Sequence, residues 1–492
     1  MIRSLSIRFK KNLPIILVFI FGLFLFIFRI LTVPPGIETD EGSIAYNASL
    51  ISKNLRDQNQ RFLPFFILSS DKLDWKQPVL IYLSALYFKI FGASLLVFKL
   101  VNISVSFVAI ILIYYLLTLI FKNKKLALIG SLIAFTSPMV IITSRLGNES
   151  IQPILWTTLW LLGLKLYSRS YQKKYLILSA ISLGIGFYSF KGMRVLVPVW
   201  AILTFVYLFF LHRYQLKKFF TSSFIFGLVL SPFFLITPLL ELKYAGAVFD
   251  RKIIHLQSYR FYFYYWLQNL SLAFLFTQPD IGKIYEMEYF GPFLLFLAPF
   301  FLIGIINIFK KIDFLFFVFL CFIFTPALFG LAGSLNYSHR LVALVPFFII
   351  ITTFGIEKYS QFFKNKSRLF FLLPIILVIF NFYGFFKYYY FDYPQMASTR
   401  HAFGNNLDQA FSALAQESKK NQLTPYVQAE YYQNHGDGSR FYEQAYFKTC
   451  LKIWHRGDTL PPRSILLTEI QAVPSLQTLN YQLDNLYLLT SL

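Results

Sequence analysis

Long apolar stretches recur along the 492 residues, and the short connections between them alternate in charge. Nothing else in the sequence restricts the fold so tightly. A helix needs about 20 apolar residues to cross a bilayer. Stretches near that length run roughly over 13–33, 95–121, 126–143, 151–167, 175–190, 195–211, 219–240, 290–308, 312–332, 341–356 and 369–390. Hydrophobic residues make up 57% of the chain and charged ones 14%, whereas soluble domains carry roughly 25% charged residues. The sequence therefore predicts an α-helical polytopic membrane protein with about eleven transmembrane helices.

The net charge of +23 is not distributed as in a nucleic-acid binder. Lys and Arg fall in short clusters between apolar stretches, with no basic tail or arm, as topology signals do. Alternate connections hold Lys122, Lys124 and Lys125; Arg169, Lys173 and Lys174; Arg213, Lys217 and Lys218; Lys310 and Lys311; and Lys358, Lys364, Lys366 and Arg368. These join the basic N-terminus (Arg3, Arg8, Lys10, Lys11) on the cytoplasmic side. The first apolar stretch is too long for a signal-peptide core and has no small-residue cleavage site, so it reads as an uncleaved span. Residues 79–91 are apolar but short, and counting them as a span would turn every basic cluster outward. They read as a helix lying on the outer surface, as do residues 259–276.

From residue 393 the apolar runs shorten and Asn, Gln, Ser and Asp rise. The expected organisation is a membrane domain over 1–392 and a small extracytoplasmic α/β domain over 393–492, with the N-terminus inside and the C-terminus outside. Helices are expected near 397–418 and 441–454, and strands near 425–432 and 465–472. Cys321 and Cys450 are not expected to pair.

Acidic residues share this polarity: apart from Asp313 and Glu357, all fall on the outer side. For Asp57, Asp71, Asp74 and the C-terminal segment, charge avoidance is reason enough. Glu38-Thr39-Asp40-Glu41 stands apart, because it emerges at the membrane surface where Pro34-Pro35-Gly36 stops the first span, and carboxylates beside lipid are costly. Two readings stand there. Asp40 caps a helix over 41–55 with Glu41 in its first turn, or it does chemistry on a membrane-borne substrate. Lys76, in Asp74-Trp75-Lys76-Gln77-Pro78, likewise either snorkels or holds a lipid phosphate. Arg145 and Glu149, Lys191 and Arg194, and His339-Arg340 after Asn336-Tyr337-Ser338 break the outer side's scarcity of charge. Each is an ordinary loop charge taken singly; an anionic lipid head group in one outer cavity would account for them together. No Gly-rich phosphate loop, zinc spacing or fixed-period repeat is present in the sequence.

The order of these pieces resembles the GT-C polytopic glycosyltransferases, and among them the bacterial relatives of protein O-mannosyltransferases and lipid A aminoarabinose transferases. The matching residues are Thr39-Asp40-Glu41 with Tyr46, Lys76-Gln77-Pro78 leading to Tyr82, and Lys89-Ile90-Phe91-Gly92. Ser137-Pro138, Ser144-Arg145 and Glu149 come next, then Tyr188 to Arg194 with Pro198, His339-Arg340 with Pro346, and the aromatic segment 388–394. The likeness runs from about residue 14 to 400. Two departures are visible: the family's Lys-Pro-Pro-Leu is Lys76-Gln77-Pro78-Val79, and the Tyr often found four residues after the Asp is Ile44, with Tyr46 two further on.

The resemblance implies that Asp40 is the catalytic acid/base position and Lys76 the contact to a lipid phosphate. The reaction expected is transfer of a monosaccharide, with inversion, from a polyprenyl-phosphate-linked donor to an extracytoplasmic protein, lipid or glycan, at the plasma (inner) membrane. Arg194 or Arg340 would join Lys76 on the phosphate. Glu41 is grouped with Asp40 as a catalytic residue that, with Glu149, would orient sugar or acceptor, and Tyr46, Tyr82, Arg145, Lys191 and His339 are further candidates for binding substrate. Because the donor carries a single phosphate, no metal or other cofactor is expected to be obligatory, and no nucleic-acid partner is expected. The rival readings are a transporter or flippase of lipid-linked sugars, and a polysaccharide ligase or polymerase using a diphosphate-lipid donor. Against transport stands the position of the charges, which gather at one face instead of halfway across.

Overall fold

The computed structural model describes residues 2–69, 74–249, 259–278, 289–310, 313–327, 338–363, 369–404, 407–447, 450–470, 477–483 and 486–491. Asp71, Lys311, Asn336, Tyr337, Lys364, Lys366, Arg368 and the end of the strand expected over 465–472 lie outside them.

Each apolar stretch named above carries a helix. In chain order the elements are α1 (Ile2–Ile27), α2 (Thr39–Asn54), the hairpin β1 (Ile67–Leu68) and β2 (Trp75–Lys76), α3 (Pro78–Phe91), α4 (Leu95–Phe121), α5 (Lys124–Thr136) and α6 (Pro138–Arg145). Then follow α7 (Gln152–Ser170), α8 (Lys173–Phe187), α9 (Met193–Leu211), α10 (Leu216–Leu235), α11 (Thr237–Lys243), α12 (Tyr259–Gln268) and α13 (Leu272–Phe276). α14 (Ala298–Ile308), α15 (Phe314–Phe324), α16 (Val345–Phe362) and α17 (Leu369–Lys387) complete the apolar part. The remainder alternates: α18 (Ala397–Ala402), α19 (Leu407–Asn421), β3 (Thr424–Gln428), α20 (Ala429–Asn434), α21 (Gly436–Tyr446), β4 (Lys452–Trp454), β5 (Ser464–Thr468), β6 (Gln477–Leu483) and β7 (Leu486–Ser491).

Among the described residues, five helical segments are long and apolar enough to cross a membrane: Leu95–Phe121, Met193–Leu211, Leu216–Lys243, His339–Phe362 and Leu372–Gln395. The bent pair α5–α6 makes a sixth. The chain is a polytopic membrane protein. Three stretches depart clearly from their expected shape, one of them 290–308, where α14 begins only at Ala298. The first helix stops at Ile27, short of residue 33, and Arg29 beyond it takes a left-handed backbone (φ 55°) that cannot continue a helix. The stretch 126–143 bends by 57° at Ser137-Pro138, because Ser137 is extended before a proline. The carbonyl of Pro292 fills that break, accepting from the Met139 amide (3.1 Å) and the Ser137 hydroxyl (3.1 Å). Backbone groups freed inside a membrane helix need such partners.

The chain forms two compact units. The first comprises Met1–Phe28, Asn102–Arg145 and Glu149–Tyr389. Its helices meet at small residues, as in membrane bundles where close backbone approach replaces the hydrophobic drive. Gly304 of α14 faces the carbonyl of Ile351, and Gly355 of α16 faces that of Phe300. Trp160 of α7 stacks on Trp200 of α9 (centroids 5.2 Å apart) and donates its indole N–H to Thr204 (3.1 Å).

The second unit comprises Arg29–Val101, Leu146–Asn148 and Tyr390–Leu492. A five-stranded sheet in the order β4-β3-β5-β7-β6 is parallel at β4-β3-β5 and antiparallel at β5-β7-β6. Residues 424–428 are extended as expected, but the chain turns helical at Ala429, and the helix expected over 441–454 is α21 followed by strand β4. One apolar core joins Ile44, Ala48, Ile81, Phe88 and Phe98 to Phe411, Val427, Phe441 and Leu467. The small domain expected at 393–492 thus shares its core with residues 37–101. Gly42 and Gly438 let α2 and α21 approach closely, since a Cβ on Gly42 would sit 2.8 Å from the Gly438 nitrogen.

Candidate active site

Local sequence signals place Asp40 and Lys76. Helix α2 begins at Thr39 with Glu38 as its N-cap, and the Glu41 carboxylate reaches back to the Glu38 amide (3.2 Å). Asp40 is therefore the second residue of the helix and not its cap, which leaves its carboxylate for other partners. Lys76 ends strand β2, paired in register with Ile67. Gln77 is extended before Pro78, which occupies the first turn of α3.

These two elements converge on a triad. The Lys76 ammonium donates to Asp40 Oδ1 (2.6 Å) and to Asp74 Oδ2 (3.0 Å). The Lys76 side chain is 4% exposed, while Asp40 is 61% and Asp74 35% exposed. One buried cation is thus shared by two solvent-facing carboxylates, a set with a net charge of −1. Asp74, which needed no function in the sequence, is part of it. The signal was its spacing: residues two apart in an extended segment lie on one face.

Glu41 takes a different place from the substrate-facing one expected. It has no exposure and accepts from the Gly147 amide (2.7 Å) as well as from Glu38. Burial pushes its carboxyl up to about 8, helped by Glu38 and opposed by the Lys99 ammonium and the two amides. Lys99, itself fully buried, donates to the carbonyls of Ile30 (3.1 Å) and Pro34 (2.7 Å). Sequence reasoning missed Lys99, a single cation inside an apolar stretch. Tyr46 lies under the guanidinium of Arg440, and Tyr82 donates its hydroxyl to the Pro64 carbonyl (2.7 Å).

The remaining candidates belong to the first unit. Arg145 is fully buried and donates to the carbonyls of Leu25 (3.2 Å) and Phe26 (2.7 Å), closing the C-terminal end of α1. Arg194 donates to the carbonyls of Ala247 and Val248. Glu149 opens a 3₁₀ turn and is half-buried, as are Lys191 and His339, while Arg340 is exposed. Both Arg145 and Arg194 thus hold backbone within their own unit.

The class comes first from the fold: a polytopic membrane protein. The fold is similar to that of ArnT from Cupriavidus metallidurans. The apo crystal structure of that protein superposes with a TM-score of 0.58 at 10% identity, over 90% of this chain and 86% of that one. Its crystal structure bound to undecaprenyl phosphate gives 0.57 at 10% identity, over 97% and 98%. Residues 76–240, about a third of the chain, match the family model of dolichyl-phosphate-mannose-protein mannosyltransferases. The match starts at Lys76. No curated protein matches the chain in sequence.

Proposed function

We propose that the protein transfers a monosaccharide from a polyprenyl-phosphate-linked donor to a hydroxyl of an extracytoplasmic acceptor, with inversion at the anomeric carbon. The observation that carries this reading is the Asp40–Lys76 contact, which joins a base and a phosphate-compatible cation from positions 36 residues apart. Asp40 takes the proton of the acceptor hydroxyl as its oxygen attacks the anomeric carbon. The bond from that carbon to the phosphate oxygen breaks, and polyprenyl phosphate leaves with the electron pair. Lys76 stabilises the added negative charge, which is greater in the transition state than in the bound donor. An arriving phosphate competes with Asp40 for the ammonium, so the donor itself frees the base, while Asp74 keeps Lys76 in place. A single phosphate makes cationic side chains sufficient, and the mechanism calls on no metal. The polyprenyl phosphate is supported by the ligand of the ArnT structure named above. Read as eleven spans with the N-terminus inside and the C-terminus outside, the charge pattern supports a triad on the extracytoplasmic side of the plasma membrane.

Turnover of a radiolabelled polyprenyl-phosphate sugar by purified protein in nanodiscs tests this. Wild type releases polyprenyl phosphate and a labelled acceptor, Lys76→Ala loses about 10²–10³ in rate, and Lys76→Arg keeps part of it. Arg340→Gln in the same assay asks whether a second cation contributes. Normal transfer by a folded Lys76→Ala protein would reduce Lys76 to a structural ion pair. Movement of intact lipid-linked sugar across the nanodisc's vesicle counterpart, without covalent transfer, would favour a flippase.

A further inference from the structure

Three helices of the first unit, α7, α9 and α15, surround a cavity of about 520 Å³. Its walls are Leu203, Val206 and Phe210 of α9 with Phe317 and Leu320 of α15. Lys165 of α7, Arg213 just past α9, and Asp313 at the start of α15 stand at its polar rim. Val206 and Phe210 are 39% and 48% exposed, so the slot opens sideways on the face where acyl chains lie. The volume is in the range of small-molecule sites, roughly 300–1,000 Å³.

The charges say what would fill it. Lys165 is half-buried within an apolar helix, and its ammonium has no hydrogen-bond or ion-pair partner among the described residues. It rests 4.9 Å from the centroid of the Phe314 ring. An ionisable side chain placed in this way in a membrane protein calls for a partner. Asp313 is its carboxylate neighbour but caps α15, accepting from the Leu315 amide (2.8 Å). Arg213 adds a second cation, giving the rim a net positive charge. Arg169 lies in the last turn of α7, and Lys173 of α8 and Lys217 and Lys218 of α10 lie in the first turns of the helices that follow α7 and α9.

We propose that this cavity binds an anionic phospholipid, its phosphate on Lys165 and Arg213 and one acyl chain in the slot between α9 and α15. Such a site uses neither Asp40 nor Lys76 and does not depend on the reaction proposed for them. The apolar slot selects a lipid over free phosphate, and the rim selects an anionic head group over a zwitterionic one.

Delipidated full-length protein, titrated with phosphatidylglycerol or with phosphatidylcholine of the same chains, tests it by native mass spectrometry. Phosphatidylglycerol is expected to bind about tenfold more tightly. The Lys165→Gln/Arg213→Gln double variant should lose that preference. Val206→Trp, which fills the slot while keeping both cations, should weaken both lipids, and it covers the case in which the double variant melts early. Equal binding of the two lipids by wild type overturns the proposal, as does a preference that survives in the double variant. Glycerol phosphate, which has no chains, should compete only weakly; displacement at the concentration at which phosphatidylglycerol itself binds overturns the proposal by showing an anion site without a lipid slot.

Discussion

Asp40 and Asp74 compete for one ammonium, and that competition sets what each substitution should do. Asp40 is well exposed and does not cap α2, so Asp40→Asn loses only an exposed half of an ion pair, worth about 1 kcal/mol or less. Thermal stability should stay near wild type while turnover falls about 10²–10⁴. A variant with normal turnover would move the base elsewhere. Glu41 behaves oppositely, because its carboxyl is buried and held up to about 8. A carboxyl raised by folding favours the protonated form, so its stabilising effect is full below the unfolded value near 4.5 and is lost as pH rises toward 8. Glu41→Gln cannot ionise. The melting temperature of wild type relative to this variant should therefore drop between about pH 5 and pH 8, and a flat difference would show that the environment of Glu41 is wet. At this scale the sequence was half legible. Asp40 and Lys76 stood out because charge at a membrane surface is conspicuous. Asp74 was hidden among acids that charge avoidance already accounts for, and Lys99 by the apolar residues around it.

Among the elements, helix placement was the readable quantity, since each apolar stretch in the sequence carries a helix. Direction was not readable. Hydropathy is blind to the bend at Ser137-Pro138, and the carbonyl that repairs it comes from Pro292, far away in sequence. Nor could the partner of α2 be inferred, because Gly42 looks like any helical glycine until Gly438 is opposite it. That contact is backbone on backbone, so a methyl group has nowhere to go. Gly42→Ala should cost about 1–3 kcal/mol, in the range of overpacked cores, and lower activity through the second unit's stability. Thermal melting of the purified variant measures this; an unchanged melting temperature would mean that α2 and α21 slide apart at little cost.

For the whole molecule, the chain offers its own topology probe. Cys450 is exposed and Cys321 is buried. In spheroplasts a membrane-impermeant maleimide should label wild type at Cys450 and leave Cys450→Ser unlabelled, whereas a cysteine introduced at Lys124 should stay protected. Protection of Cys450 would invert the charge-based topology and place the triad inside. The second unit also has a consequence in time. Its core joins residues up to Val101 with residues from Leu407 onward, about 300 positions apart. At synthesis rates of roughly 5–20 residues per second, the segment bearing Asp40 and Lys76 waits roughly 15–60 s for the strands and helices that complete its core. Through that interval the growing chain carries the apolar faces of α2 and α3 unmatched, so it depends on the bilayer surface or a chaperone to shelter them until the later residues arrive.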